Sequence, residues 1–310
     1  MQNELVSVIM SVYNETEEEL NLSIHSILNQ TYNNLEFIIV NDNPNREDLN
    51  KILYSFKDER IILLENTKNE GLVFSLNKAL KIAKGKYIAR MDADDISDIY
   101  RIEKQLKYMN NYSCDIISTN IKLFGKCRKM KQVRFIYYDK EIKYLLKHGI
   151  NVLPHPGWIA KRELFEKMDG YRPIFACEDY DFLLRAIRVN CKFGIIREPL
   201  LSYRIRQSSI SNMNKTRQFL TRLYLSKNIN RIEEISNEEI DINIKQSEIN
   251  DYNDFLVIIN SVNKMPSIKT MLNLICNKYF YSYMYITFIK KIIANYCLIK
   301  EKINNKHNKE

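Results

Sequence analysis

Three carboxylates stand within four residues at Asp92-Ala93-Asp94-Asp95. Side by side they repel one another unless a cation sits among them. Hard divalent ions such as Mg²⁺ and Mn²⁺ take carboxylate and phosphate oxygens. At a strand end, one aspartate can reach such an ion while its neighbour reaches a ribose hydroxyl. The ion can then neutralise a departing diphosphate. The structural alternative is a solvated acidic turn or a helix cap. Asp42 follows the run LEFIIV. Its carboxylate can accept a hydrogen bond from a base N–H such as uracil N3, or serve as the Asx-turn residue of NDNP. Ser11 and Tyr13 close the run VSVIMSV, and the Tyr13 ring there either stacks on a base or packs.

A second acidic group, Glu178-Asp179-Tyr180-Asp181, opens an amphipathic stretch. A helix N-terminus stabilises negative charge, so capping explains it structurally. The functional reading is a general base that deprotonates an acceptor hydroxyl. Arg204 and Arg206 lie two apart in PLLSYRIRQSSIS. On a strand that spacing puts both guanidinium groups on one face. Paired arginines there suit a diphosphate; the alternative is a plain surface strand.

The elements that must position these residues are legible. Val6–Val12, Leu35–Val40, Arg60–Leu64 and Tyr87–Met91 are apolar runs of buried parallel strands. Between them, Leu20–Leu28, Leu49–Phe56 and Gly71–Ala83 carry apolar residues at helical spacing, and Gly85 stops the last. This alternation predicts an α/β fold, a doubly wound, mostly parallel sheet flanked by helices. Ligands bind such sheets at the carboxyl ends of the strands. Those ends are Ser11–Asn14, Asn41–Asn43, Asn66–Asn69 and Asp92–Asp95, all polar. Further on, the patterns predict helices over Arg101–Asn110, Asp139–Lys147, Arg162–Met168 and Asp179–Val189. They predict strands over Asp115–Ser118, Phe193–Ile196 and Leu200–Ile205, and a basic, irregular stretch between Lys122 and Tyr138. His155–Trp158 (HPGW) reads as a loop that leads into a strand.

The core domain is expected over residues 1–213. Residues 214–310 lack strand–helix alternation and contain no glycine. They are read as a helical, basic and aromatic C-terminal extension. Residues 267–302 in it suit an interfacial helix, with lysines on anionic headgroups and aromatics at the boundary. The alternative is packing on the core domain or on a second subunit. Lys and Arg outnumber Asp and Glu by 47 to 38, a net charge of +9. That favours phosphate-bearing ligands, anionic membranes or nucleic acid without choosing among them. The six cysteines show no zinc or C-x-x-C spacing. The longest charge-free apolar stretch near the C-terminus, Tyr279–Ile289, has eleven residues; a span needs about 20. No secretory signal is evident, so the expected location is cytoplasmic, peripheral on the inner face of the plasma membrane.

Taken together, VSVIMSVYNE, LEFIIVND, NEGLVFSLNKAL, GKYIARMDADD, HPGWIAKRELFEKMDGY and CEDYDFLLR resemble family 2 glycosyltransferases with the GT-A fold, in the family's order over most of residues 5–210. The resemblance implies a nucleotide-diphosphate sugar donor, commonly a uridine one, and inversion at the anomeric carbon. It implies that Asp42 and Tyr13 hold the base, that Asp92 contacts the ribose, and that Asp94 binds Mn²⁺ or Mg²⁺ with Asp95 nearby. Asp179 would be the catalytic base. His155, Pro156, Trp158 and Glu178 would lie on the acceptor side. By family analogy the acceptor is a saccharide linked to polyprenyl diphosphate, for a bacterial surface polysaccharide. The sequence departs from the family at Asn41-Asp42-Asn43-Pro44, where two aspartates and Gly-Ser are usual. It departs again at Arg206, where many members have a histidine. Arg206 supplies charge there but no metal ligand.

Two rivals fit less well. A nucleotidyltransferase wants a glycine-rich basic loop after the first strand, and SVYNETEEE is acidic and glycine-free. A nucleic-acid-binding protein should carry a recognisable module, and acidic strand ends repel phosphates. No nucleic-acid partner is expected. A non-catalytic sugar-nucleotide-binding relative stays open, although Asp179 is in place.

Overall fold

The computed structural model describes residues 4–125, 131–133, 137–206, 213–262, 277–281, 283–289 and 292–293. The chain opens with β1 (Val6–Val12), α1 (Glu17–Leu28), β2 (Leu35–Asn41), α2 (Glu47–Ser55), β3 (Ile61–Glu65), α3 (Leu72–Ile82) and β4 (Tyr87–Arg90). The parallel pairs are β1 with β2, β2 with β3, and β1 with β4. Every residue of β2 and β4 is buried, as unbroken apolar runs require of strands covered on both faces. Gly85, between α3 and β4, passes so close to β1 that a Cβ would lie 2.5 Å from the Ser7 nitrogen.

After the Asp92–Asp95 turn come β5 (Ile96–Ser97), α4 (Arg101–Tyr112), β6 (Ile116–Phe124), β7 (Lys131–Val133) and α5 (Asp139–Leu146). Then follow a short 3₁₀ turn at His155–Gly157, β8 (Ile159–Lys161), α6 (Arg162–Lys167), α7 (Glu178–Arg188) and β9 (Phe193–Arg204). The sheet order is β3-β2-β1-β4-β8-β6-β9-β5, with β7 on β6. Its long ladders are parallel; β5, β7 and β8 run the other way over two or three residues each.

Two expectations are revised. The strands anticipated at Phe193–Ile196 and Leu200–Ile205 are one strand, β9, whose register against β6 shifts around Asn120. Pro199 faces that shift and has no N–H to give a ladder, so a bulge carries the strand past it. The strand anticipated at Asp115–Ser118 continues to Phe124, and Leu123 pairs with Lys131. The stretch read as irregular therefore holds a hairpin.

The extension forms α8 (Lys215–Lys227), a 3₁₀ turn (Ile229–Glu234), α9 (Asn237–Asn243) and α10 (Gln246–Val262). Leu220, Leu225, Ile232, Ile240, Tyr252 and Phe255 join the same buried cluster as Ile9, Trp158 and Leu183. The described part of the extension thus packs on the α/β core. Most of residues 267–302 lies outside the described residues. Those described between 277 and 289 turn Tyr279 and Ile286 into the cluster and leave Tyr281, Met284, Tyr285 and Phe288 exposed. No helix among the described residues is long and apolar enough to cross a membrane.

Candidate active site

β1, β2, β3, β4, β6 and β9 all point their carboxyl ends at one edge of the sheet. Asp42 leaves β2 there, 3% exposed. Its Oδ1 accepts from Asn66 Nδ2 (2.7 Å) and the Glu70 amide (2.8 Å), and its Oδ2 from the Gly71 amide (2.9 Å). Gly71 has φ +88°, which lets the chain turn into α3. Asp42 thereby ties β2 to α3 and keeps about one acceptor site in hand. Ser11 is half-buried on β1, and Tyr13 projects from the strand end, 45% exposed.

β4 delivers the Asp92–Asp95 turn. The Ser23 hydroxyl donates to the Asp92 carbonyl at 2.9 Å. Arg90, 4% exposed at the end of β4, pairs with the Asp92 carboxylate. β5 returns along β9 through Ile96–Ser202 and carries the turn against Arg204. The Arg204 amide donates to Asp95 Oδ1 and its Nε to the Asp94 carbonyl, both at 2.8 Å. Arg206 Nε lies 2.9 Å from Asp94 Oδ2, and its Nη2 lies 2.9 Å from Glu19 Oε2. The sequence put Arg204 and Arg206 on one face of a strand, facing a diphosphate; it gave no site reading for Glu19, on the first turn of α1.

Burial, and then the charge of Asp92, push the Asp94 carboxyl up to about 7. The same two causes raise Asp95 well above the carboxylate range. Asp95 Oδ2 is buried without a hydrogen-bond partner. The oxygens of this turn are hard and crowded, as a divalent ion requires. Among the described residues, no group of three or more His, Cys, Asp or Glu could hold a metal ion. Mg²⁺ usually binds through one or two carboxylates plus substrate phosphates. The residues fit an ion that shares its coordination with a phosphate ligand.

The second acidic group belongs to α7. Asp179 Oδ1 accepts from the Tyr180 amide at 2.6 Å and Oδ2 from Asn151 Nδ2 at 2.9 Å. Burial raises the Asp179 carboxyl. Burial, and then the charge of Asp179, push Glu178 up to about 7. Asp181, two residues on, is fully buried and paired with Arg172 and Arg185. It is a structural anchor. His155 Nε2 meets the Tyr171 hydroxyl at 2.9 Å, and Nδ1 lies 4.0 Å from Glu178 Oε1. Burial, with Arg90 behind it, holds the imidazole well below its usual range, hence neutral.

Trp158 corrects one expectation. It is 1% exposed, its indole N–H donates to the Leu153 carbonyl, and its ring packs between His155 and Phe182. It supports the floor under His155 and offers no surface to an acceptor. Arg101, fully buried, donates to the Arg90 and Pro156 carbonyls and locks β4 to the HPG turn. Arg90 and Asn151 went unnoticed in the sequence. A charge at the end of the apolar run YIAR was the available signal for Arg90; Asn151 carried none.

The family model described as Glycosyl transferase family 2 matches residues 7–169. An uncharacterised glycosyltransferase of Methanocaldococcus jannaschii is 41% identical over 71% of this chain and 78% of its own. The O-antigen biosynthesis glycosyltransferase WbnJ of Escherichia coli is 35% identical over 66% and 82%. The E. coli UDP-Glc:alpha-D-GlcNAc-diphosphoundecaprenol beta-1,3-glucosyltransferase WfaP is 41% identical over 73% and 87%. The structure of S. aureus TarS residues 1–349 in complex with UDP-GlcNAc superposes with a TM-score of 0.58 at 18% identity, over 76% of this chain and 69% of that one.

Proposed function

The chain belongs to glycosyl transferase family 2, on the GT-A fold, and from that premise we propose that it moves a sugar from a uridine diphosphate donor, with inversion, to a hydroxyl of a saccharide carried on polyprenyl diphosphate, in the building of a bacterial surface polysaccharide. One observation carries the reading. The two acidic turns are joined through the end of β4: Arg90 pairs with Asp92, Arg101 ties the Arg90 carbonyl to that of Pro156, and the neighbouring His155 lies 4.0 Å from Glu178 Oε1. A donor-binding turn and a proton-accepting turn are then parts of one site. The names of WfaP, with its UDP-glucose donor and undecaprenyl-linked acceptor, and of WbnJ support the choice of donor, acceptor and product.

In this reading the base meets Tyr13 and the remaining acceptor site of Asp42. Asp92 takes the ribose, Ser11 lines the donor site, and Arg204 and Arg206 face the diphosphate. Asp94 and Asp95 would hold Mn²⁺ or Mg²⁺, which would supply a Lewis acid for the leaving diphosphate. The acceptor oxygen bonds to the anomeric carbon on the face opposite the diphosphate as the bond from that carbon to the diphosphate oxygen breaks. Asp179 takes the hydroxyl proton, and Asn151 and the Tyr180 amide fix its two oxygens. His155 and Glu178 border the acceptor. The catalytic unit spans residues 1–213 and the extension residues 214–310.

The extension brings this site to the membrane surface. Tyr281, Met284, Tyr285, Phe288 and Ile292 recur at helical spacing and are exposed. Tyr285 touches Tyr144 of α5, whose exposed Lys140 and Lys147 lie on the same helical face as Tyr144 and suit anionic headgroups.

Thermal melting with a panel of nucleotides and nucleotide sugars, with and without Mn²⁺, tests the donor site, since a ligand specific to the folded state raises Tm. A uridine diphosphate compound should stabilise the protein and Asp94→Asn should abolish the metal-dependent part. No shift with any nucleotide would sink the donor reading. The anomeric configuration of the product, read by NMR, tests inversion. Pelleting with anionic liposomes, lost in Met284→Glu/Phe288→Glu, tests the membrane face.

A further inference from the structure

Two arginines meet the Asp92–Asp95 turn in different ways. Arg204 is built in: its amide and Nε hold Asp95 and the Asp94 backbone, and its guanidinium lies 4.5 Å from the centre of the Phe124 ring. Arg204 Nε also lies 3.6 Å from Glu19 Oε1, but Arg206, beyond the end of β9, is the one that reaches the Asp94 carboxylate. It bridges Asp94 Oδ2 and Glu19 Oε2 at 2.9 Å each. Glu19 is held in place by its capping box, accepting from the Thr16 amide and hydroxyl at 2.9 Å. The guanidinium therefore spans from α1 to the acidic turn, against the oxygen a divalent ion would use.

A guanidinium has no lone pair to give a metal, and it repels one. A divalent ion and the Arg206 guanidinium compete for the negative charge of Asp94. We propose that Arg206 is a built-in counter-cation of Asp94, which the donor's diphosphate draws away so that nucleotide and divalent ion enter together. This rests on the reading of Asp94 as the ion's carboxylate. Without diphosphate, an ion at Asp94 leaves Arg206 with Glu19 as its carboxylate partner and sets two cations side by side. With diphosphate, the guanidinium exchanges two carboxylates for phosphate oxygens, a partner its fork matches. Coupling between two ligands is reciprocal: the nucleotide strengthens ion binding by the factor by which the ion strengthens nucleotide binding.

Mn²⁺ binding to the full chain, measured by loss of the free-ion EPR signal, reads this out without turnover. In the wild type, Mn²⁺ should bind weakly alone and at least about tenfold more tightly with uridine diphosphate. In Arg206→Gln, Mn²⁺ alone should bind about tenfold more tightly than to the wild type, and the nucleotide's enhancement should shrink. Arg206→Lys, which keeps the charge but not the two-pronged bridge, should fall between, and decides the matter if the glutamine variant does not fold. Unchanged or weaker Mn²⁺ binding in the Arg206 variants overturns the proposal, as does a wild type that binds Mn²⁺ equally with and without nucleotide. Asp94→Asn separates this from failure of the donor reading: if that variant binds Mn²⁺ and nucleotide like the wild type, the ion is not at Asp94 and both readings fall.

Discussion

The Asp92–Asp95 and Glu178–Asp179 turns are joined through Arg101 and His155, and the fold treats them in opposite ways. At Asp92–Asp95 every carboxylate has a positive or amide partner: Arg90 on Asp92, Arg206 on Asp94, the Arg204 amide on Asp95. At Glu178–Asp179 the direct hydrogen-bond donors are neutral, an asparagine side chain and a backbone amide. Both turns are dry enough to raise carboxyl pKa values. The first is organised to exchange charged partners. The second suits the proposed proton exchange, because among the described residues no ion pair holds Asp179, and Arg222 and Arg90 favour its charge only from a distance.

The sharpest way to break this contrast is Asp179→Asn. If Asp179 takes the proton, turnover should fall by about 10²–10⁴, while the melting shift given by uridine diphosphate and Mn²⁺ stays. Loss of the nucleotide shift together with turnover would mean that the two turns are not separable in function. Asp181→Ala, two residues along the same helix, should do the reverse. It leaves Arg185, 4% exposed, without its carboxylate. Breaking one side of a buried pair costs about 3–5 kcal/mol, so the variant should show that loss in urea unfolding.

The residues proposed for the donor side were legible because they sit where strands end, and strand ends follow from apolar runs. Asp42, Asp92 and Asp94 needed only that geometry. The bridge from Arg206 to Glu19 was not legible, because it joins the first helix to the last strand and depends on how β5 turns back along β9. Asn151 had no signal for a similar reason: nothing in NVLPHP says that its amide will meet α7. The extension's packing hid in a polar stretch, where Ile232, Ile235, Ile240 and Ile244 are buried among exposed acids. Scattered single isoleucines fit neither a period of 2 nor one of 3.6, so pattern reading passes them by.

A pH profile sharpens the comparison further. A base must be unprotonated to act, and burial raises the Asp179 carboxyl, so kcat/KM should rise with pH through an acid limb displaced above the ordinary carboxylate range. Asn151→Ala removes a donor that favours the charged form of Asp179. The limb should then move to higher pH, so that turnover drops on the acid side and recovers in alkaline buffer. A fall equal at every pH would make Asn151 a packing residue only.

The smallest effect separates the two turns by stability alone. Folded Glu178 keeps its proton to about pH 7, whereas an unfolded glutamate releases it near 4.5. Between those values the folded protein binds more protons than the unfolded chain, so this group's contribution to stability falls as pH rises from about 4.5 to 7. Glu178→Gln removes the charge that burial disfavours. Its melting temperature should match the wild type at pH 4 and exceed it above pH 7 by a few degrees, about what 1 kcal/mol gives in a chain of this size. Asp94 is pushed to about 7 as well, but Asp94→Asn also takes a partner from Arg206. No gain should appear there at high pH. Equal gains at both positions would mean that the arginines leave the first turn as uncompensated as the second.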